Sequence, residues 1–168
     1  MKIYTDVVGR DHDELLSDMF PIKENGVLYE VEARRVQRTT GVEADLGATD
    51  TAEAEPGDAE DSVDVIDLVD TFRLNETPIS DRRQYLAYLK RYTKDVLAFL
   101  RAGDPQGAEA FQAGVQQAVK SLAEDFDSYR FFEGEHRDGG MIIPAKFAAD
   151  GGTATFYYFR HGLQEREF

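Results

Sequence analysis

The opening part of the chain alternates between apolar and polar side chains, which is the period of half-buried strands. One strand is predicted to begin at Ile3 and a second over residues 19–23, where Pro21 interrupts it. Asn25 and Gly26 then supply the chemistry of a tight hairpin turn. The strand predicted after this turn alternates Val27, Tyr29, Val31 and Ala33 with Leu28, Glu30, Glu32 and Arg34.

Strand patterns return in four later segments. Residues 63–74 are rich in β-branched side chains with interleaved aspartates, and we predict one strand there. Residues 129–132, 141–143 and 153–159 have the same character and are separated by glycine pairs, which are typical of turns. The chain is therefore predicted to be β-structure at both ends.

Residues 79–126 change to a helical period. Ser80 is predicted to cap a first helix, Gly103 to end it in a left-handed conformation, and Asp104-Pro105 to begin a second helix. The two apolar stripes are Tyr85, Tyr88, Leu89, Tyr92, Val96, Phe99 and Leu100, and then Phe111, Val115, Ala118, Val119, Leu122 and Phe126. Two amphipathic helices with so short a connection form an antiparallel hairpin. One helical block between strands indicates the α+β class.

Residues 41–62 lack almost every large apolar side chain. This segment carries eight acidic residues and no lysine or arginine, and only Val42 and Leu46 are suited to a core. Such a segment buries too little surface to offset the entropy of ordering it. We therefore predict a long, mobile acidic loop, a kind of insertion that is usually functional.

Composition narrows the class of protein. A chain of 168 residues is the size of a single domain, 1–168. Its net charge of −14 repels phosphate backbones, so we expect no nucleic-acid partner. The absence of cysteine excludes disulfides, zinc fingers and thiol nucleophiles. Because no apolar leader or membrane-length segment is present, we expect a cytosolic protein without a membrane partner. We also expect a monomer.

Candidate catalytic groups are few. No nucleophile elbow, phosphate-binding glycine loop or metalloprotease motif is present, so we expect no enzymatic activity and no tightly bound cofactor. His136 and His161 are predicted to be ordinary surface residues. Residues 11–14, which include His12, have acid–base and metal-ligand side chains, and their simplest interpretation is a solvated turn.

A weak calcium site is one interpretation of the acidic run. Asp58, Glu60, Asp61 and Asp64 supply hard oxygen ligands, but the glycine-pivoted loop of a high-affinity site is missing. The alternative is a solvated run of charges. Any calcium affinity is therefore expected to be low, in the millimolar range on the order of 10⁻³ M.

The first predicted helix carries a basic stripe. At 100° per residue, Arg83, Lys90, Lys94 and Arg101 fall within about 20° of one line, opposite the apolar face. A stripe of cations on an acidic protein is either a solvated helix face or a docking surface for an acidic partner.

Five segments follow one another in a characteristic order. They are MKIYTDVV, His12-Asp13-Glu14 with Ser17-Asp18, LGATDTAE over 46–53, YRFFEGE over 129–135 and FRHGL over 159–163. Together with the helical hairpin they resemble the translationally controlled tumour protein family along the whole chain. The family's loop usually has Asn and Ser where Thr49 and Thr51 stand here.

The resemblance implies a β-tent-like mixed sheet core with the inserted hairpin and the acidic loop. It also implies a cytosolic protein that binds calcium and associates with tubulin or microtubules. The implied links are to translation elongation factors, to growth control through a small GTPase, and to cell survival. Two acidic positions implicated in the GTPase contact correspond to Glu14 and Glu53, and Glu135 is placed on the same face.

Three hypotheses follow for function. The first is a non-catalytic adaptor with several partners, which uses the acidic face and the basic helix. The second is a nucleotide-exchange factor or chaperone for a small GTPase, in which carboxylates compete with phosphate for magnesium. The third, ranked lowest, is a calcium buffer.

Overall fold

The computed structural model describes residues 1–39 and 62–168. The predicted acidic loop therefore lies outside the described residues, apart from Ser62 at its end. Ten strands occur within the described ranges: β1 (Lys2–Asp6), β2 (Glu14–Ser17), β3 (Ile22–Asn25), β4 (Leu28–Thr39), β5 (Ser62–Ile66), β6 (Asn75–Glu76), β7 (Arg130–Glu133), β8 (Ile142–Phe147), β9 (Thr153–Phe159) and β10 (Leu163–Glu167). The helices there are α1 (Asp67–Phe72), α2 (Arg82–Gly103) and α3 (Pro105–Glu124), with short 3-10 turns at Phe126–Ser128 and Arg160–Gly162.

The strands form two antiparallel sheets. The larger sheet has the order β3-β4-β9-β8-β7-β6, and β5 pairs with the distal end of β4. The smaller sheet has the order β10-β1-β2. The predicted α+β class, with a helical hairpin inserted between strands, is confirmed.

The prediction for residues 63–74 is wrong in its second half. Only Ser62–Ile66 is a strand, and the chain then turns into helix α1. Asp67 causes the change, because its carboxylate accepts the backbone N–H of Arg34 at 2.9 Å, where strand pairing would otherwise continue. Leu68 and Phe72, four positions apart, are both buried on the same side of the new helix.

The hairpin is present, with different caps from those predicted. Asp81, not Ser80, caps α2, and its carboxylate accepts the backbone N–H of Gln84 at 2.9 Å. Gly103 is the last helical residue and has no positive φ. Asp104 alone connects the helices: its own N–H bonds to the Leu100 carbonyl, and its side chain caps α3.

Aromatic residues join the hairpin to the sheets. Tyr85, Tyr88 and Tyr92 are buried, as the helical period predicted, and belong to one hydrophobic core with the strands. The Tyr88 hydroxyl accepts the backbone N–H of Ile142 at 2.7 Å, which ties α2 to β8. The prediction that Phe99 belongs to the buried apolar stripe is wrong, because this side chain is 45% exposed.

Asp6 is a buried carboxylate where three parts of the fold meet. It accepts the backbone N–H of Met141 at 2.6 Å, the backbone N–H of Val8 at 3.0 Å and the hydroxyl of Tyr92 at 3.2 Å. Burial raises the pKa of this carboxyl to about 6, although the hydrogen bonds oppose the rise. The group therefore links β1, α2 and the segment before β8.

The helices of the described ranges are too short or too polar to span a bilayer.

Candidate partner-binding site

An acidic groove lies where two turns and the end of α1 meet. Its cavity measures about 510 Å³. It is lined by Asp11, His12, Asp13 and Glu14 from one turn, by Glu135 and His136 from the other, and by the C-terminal end of α1 with Arg73. The groove therefore brings together two carboxylates singled out in the sequence, Glu14 and Glu135.

Asp13 fastens the two turns of the groove to each other. Its carboxylate accepts the backbone N–H of His136 at 3.0 Å and also contacts the Nδ1 atom of the His136 ring. Gly134 permits this approach, because a Cβ atom there would overlap the Asp13 carboxylate. Asp13 is 7% exposed. The interpretation of residues 11–14 as a wholly solvated turn is therefore wrong for Asp13. His12 is exposed, and its Nδ1 atom lies 2.9 Å from the backbone oxygen of Asp6.

The hydrogen bond that the His136 ring donates to the Asp13 carboxylate raises the pKa of His136 above its ordinary value. A raised folded-state pKa means that the interaction contributes its full stability below the unfolded pKa of about 6.5. That contribution is lost as the pH rises through the folded pKa. The imidazole is exposed, so solvent weakens the effect.

The predicted acidic contact residues differ in their surroundings. Glu14 begins strand β2 and is exposed. Glu135 forms an ion pair with Arg73 at 3.2 Å, and its side chain remains 43% exposed. Glu53 lies outside the described residues. Both described carboxylates are thus accessible at the rim of the acidic groove.

The basic stripe of Arg83, Lys90, Lys94 and Arg101 is exposed along the whole of α2. Within residues 1–39 and 62–168, no carboxylate forms an ion pair with any of the four. Two other cations of the helix are engaged: Arg82 lies 3.7 Å from Asp127, and Arg91 lies 3.7 Å from Asp95. The stripe is therefore the part of the helix whose charge is least neutralised.

The proposed calcium ligands are mostly beyond the described ranges. Asp58, Glu60 and Asp61 lie there, whereas Asp64 is part of β5 and contacts the side-chain amide of Gln37. Among the residues that the structure describes, no three acidic or histidine side chains are grouped for a metal ion. The calcium site stays a prediction.

His161 is not the surface residue that was predicted, whereas His136 is exposed as predicted but has a distant partner. His161 is half-buried against the ring of Phe111, at 5.4 Å between centroids, and its Nδ1 atom is buried without a partner in the described chain. Burial accordingly lowers the pKa of His161. His136 is exposed but bonded to Asp13, 123 positions away in sequence. No local pattern indicates that pairing.

These features define an α+β protein of two antiparallel sheets with an inserted helical hairpin. Its surface carries an acidic groove and, on the hairpin, a basic stripe. The family model for translationally controlled tumour protein matches residues 1–164. A curated relative from Dictyostelium discoideum, translationally-controlled tumor protein homolog 1, is 37% identical over 175 residues, with 100% of both chains covered. The chain belongs to the translationally controlled tumour protein family.

Solved structures agree with this assignment. The protein p23fyp from Schizosaccharomyces pombe superposes with a TM-score of 0.78 at 32% identity and covers 100% of both chains. The protein from Caenorhabditis elegans gives a TM-score of 0.66 at 26% identity, covering 100% of this chain and 99% of that one. The family predicted from the five ordered segments is confirmed.

Proposed function

We propose that this chain is a regulatory adaptor that binds several protein partners and catalyses no reaction itself. The observation that carries the proposal is the presence of two accessible surfaces of opposite charge on one chain. The acidic groove contains Glu14 and Glu135, and the basic stripe runs along α2, which contributes no residue to the groove. Separate charged surfaces suit different partners, because charge complementarity governs specificity and association rate.

The acidic groove is proposed to bind a small GTPase. Replacing Glu14 or Glu135 with alanine is expected to weaken that binding by about tenfold, since each change removes a charge-assisted contact. The family resemblance implies that replacing Glu53 with alanine weakens GTPase binding in the same way. Calorimetry with a cognate small GTPase measures the affinity, and thermal melting measures the stability.

A matched control is Glu109→Ala on α3, where the glutamate is exposed and lies outside the groove. It should leave GTPase affinity unchanged. None of these exposed changes should alter the free energy of unfolding by more than about 0.5 kcal/mol. Unchanged affinity in both groove variants would contradict the assignment, as would a large loss of stability in Glu14→Ala.

Nucleotide exchange on the GTPase is the second candidate function. It is favoured by the exposed carboxylates of Asp11, Glu14 and Glu135 in a single groove, because carboxylates compete with phosphates for magnesium. Stopped-flow measurement of nucleotide release from the GTPase distinguishes an adaptor from an exchange factor. An adaptor binds without changing the release rate, whereas an exchange factor accelerates release and loses that effect in Glu14→Ala.

The basic stripe is proposed to bind the acidic surface of tubulin. Changing Lys90 and Lys94 together to glutamate is expected to abolish co-sedimentation with microtubules at low salt and to leave the circular dichroism unchanged. Four aligned cations give a Coulombic attraction that salt screens, so wild-type binding should fall steeply with ionic strength. The net charge of −14 opposes the contact, which should therefore be weak and transient.

A control for net charge is Lys23→Glu with Arg166→Glu, at exposed positions of β3 and β10. Each reversal subtracts two charges, so both double variants change from −14 to −18. If both lose microtubule binding equally, total charge is responsible and the stripe is not. Binding that is insensitive to salt would also remove the stripe from the mechanism.

Translation elongation factors are proposed as further partners in the cytoplasm, with links to growth control and cell survival. These proposals follow from family membership. Weak calcium binding involving Asp64 and the acidic run before it is proposed in the same way. Calorimetry with calcium at low salt tests it: heat that saturates near about 1 mM supports a weak site, and no heat contradicts it.

A further inference from the structure

A second cavity, of about 530 Å³, carries four arginines on its walls. They come from separate parts of the fold: Arg35 and Arg38 from β4, Arg73 from the end of α1, and Arg130 from β7. The acidic side chains lining the same cavity are Asp64, Asp70 and Glu76. A further carboxylate, that of Glu135, pairs with Arg73 at 3.2 Å, so among the described residues four carboxylates accompany the four arginines. This arginine cavity is therefore close to neutral, in a chain whose net charge is −14.

Three of the four guanidinium groups are held in place by carboxylates. Arg130 forms two parallel hydrogen bonds to Glu76, at 2.7 and 2.9 Å, and its guanidinium lies 4.4 Å from the ring centroid of Phe147. Arg38 pairs with Asp70 at 2.8 Å. Arg73 pairs with Glu135 at 3.2 Å and lines both the arginine cavity and the acidic groove. Guanidiniums fixed in this way are preorganised to present their remaining N–H groups.

Arg35 differs from the other three. Its Nε atom donates to the carbonyl of Gly151 at 2.9 Å, which fixes the side chain, yet no carboxylate within the described residues pairs with it. Its terminal nitrogens therefore stay available to an incoming anion. A planar guanidinium donates to a carboxylate through two parallel hydrogen bonds.

The floor of the arginine cavity is apolar. Ile66, Leu74 and Phe132 are buried beneath it, and the half-buried side chains of Val69 and Phe147 complete it. Arginines over an apolar floor suit a ligand that has both an apolar side chain and neighbouring negative charges. A free inorganic anion would leave the floor in contact with water and gain no hydrophobic contribution.

Two sheet edges border the cavity. In the described chain, β5 pairs only with β4, and β6 pairs only with β7, so each strand has one edge without a partner. Free strand edges present backbone N–H and C=O groups to an extended peptide. Residues of both strands line the cavity.

We propose that the arginine cavity binds an extended acidic peptide of a protein partner. An apolar side chain of that peptide packs on the half-buried Val69 and Phe147, and flanking carboxylates bind Arg35 and its neighbours. This site is distinct from the acidic groove and the basic stripe, and it shares only Arg73 with the groove.

The test uses a fluorescein-labelled pentapeptide with two glutamates on each side of one phenylalanine. Fluorescence anisotropy at low salt should show saturable binding to the full chain, and Arg35→Gln should weaken it about tenfold. The substitution orphans no carboxylate, because Arg35 has none as a partner in the described chain. Arg34→Gln is the matched control: the same charge is removed at the adjacent position, which does not line the cavity.

Two variant probes separate the parts of the ligand. Replacing the four glutamates with glutamine should abolish binding, and replacing the phenylalanine with alanine should weaken it about tenfold. Equal affinity of Arg35→Gln and Arg34→Gln would overturn the proposal. So would the absence of peptide binding to the wild type at millimolar concentration, or inorganic phosphate that displaces the peptide at equal concentration.

Discussion

Replacing Asp6 with alanine is expected to lower the free energy of unfolding by about 3 kcal/mol near pH 5. The change leaves the backbone N–H groups of Met141 and Val8 and the hydroxyl of Tyr92 without their acceptor in a buried place. Urea denaturation followed by circular dichroism measures the loss. Asp11→Ala is the control, since this neighbouring aspartate is exposed, and its effect should stay within about 0.5 kcal/mol.

The loss should depend on pH in a defined direction. The folded pKa of Asp6, about 6, exceeds the unfolded value of about 3.9, so the carboxyl contributes most to stability when it is protonated. That contribution declines as the pH rises through about 6. The difference between wild type and Asp6→Ala should therefore shrink by about 1 kcal/mol between about pH 5 and about pH 8. A difference that grows over this range would show that the ionised carboxylate is the stabilising form.

Phe111→Ala is expected to destabilise the whole protein by about 3–5 kcal/mol in a single transition. Phe111 is 1% exposed, and its ring packs against Phe159 and His161, at 6.3 and 5.4 Å between centroids. These contacts hold α3 against the end of β9 and the turn that follows it. Removing them creates a cavity in the core that hairpin and sheets share, so both should unfold together. Circular dichroism reports on the helices, and tyrosine fluorescence reports on the packing.

Phe99→Ala is the matched control, because the same substitution on α2 removes a ring that is already 45% exposed. Its cost should be about 1 kcal/mol or less. The prediction of one cooperative domain over 1–168 depends on the Phe111 result. Loss of helical signal at a lower urea concentration than the tyrosine signal would mean that the hairpin unfolds on its own.

The hairpin was predictable because its determinants are local. Tyr85, Tyr88 and Tyr92 recur at helical spacing and are buried, and Asp104-Pro105 begins the second helix as expected. Strands with clear alternation and glycine-bounded ends, such as β9, were predictable for the same reason. In these segments a few neighbouring residues determine both the element and its buried face.

Features that depend on distant partners were missed. The strand signal of 63–74 did not reveal helix α1, since the switch depends on Asp67 bonding to a strand 33 positions away. Strands β2 and β10 are held by pairing with β1, and their own patterns are weak. The contact of Asp13 with His136 and the grouping of four arginines likewise come from tertiary structure. Glu14 and Glu135 were found only because the chain resembles a family.

The single connecting residue of the hairpin has a consequence for motion. Asp104 ends one helix with its N–H and begins the next with its carboxylate, so the two helix ends share one set of capping bonds. Helix ends that are capped separately fray separately. Here opening of the C-terminal end of α2 removes the cap of α3, and opening of the N-terminal end of α3 removes the cap of α2. Backbone amides on both sides of Asp104 should therefore exchange hydrogen with solvent at the same rate.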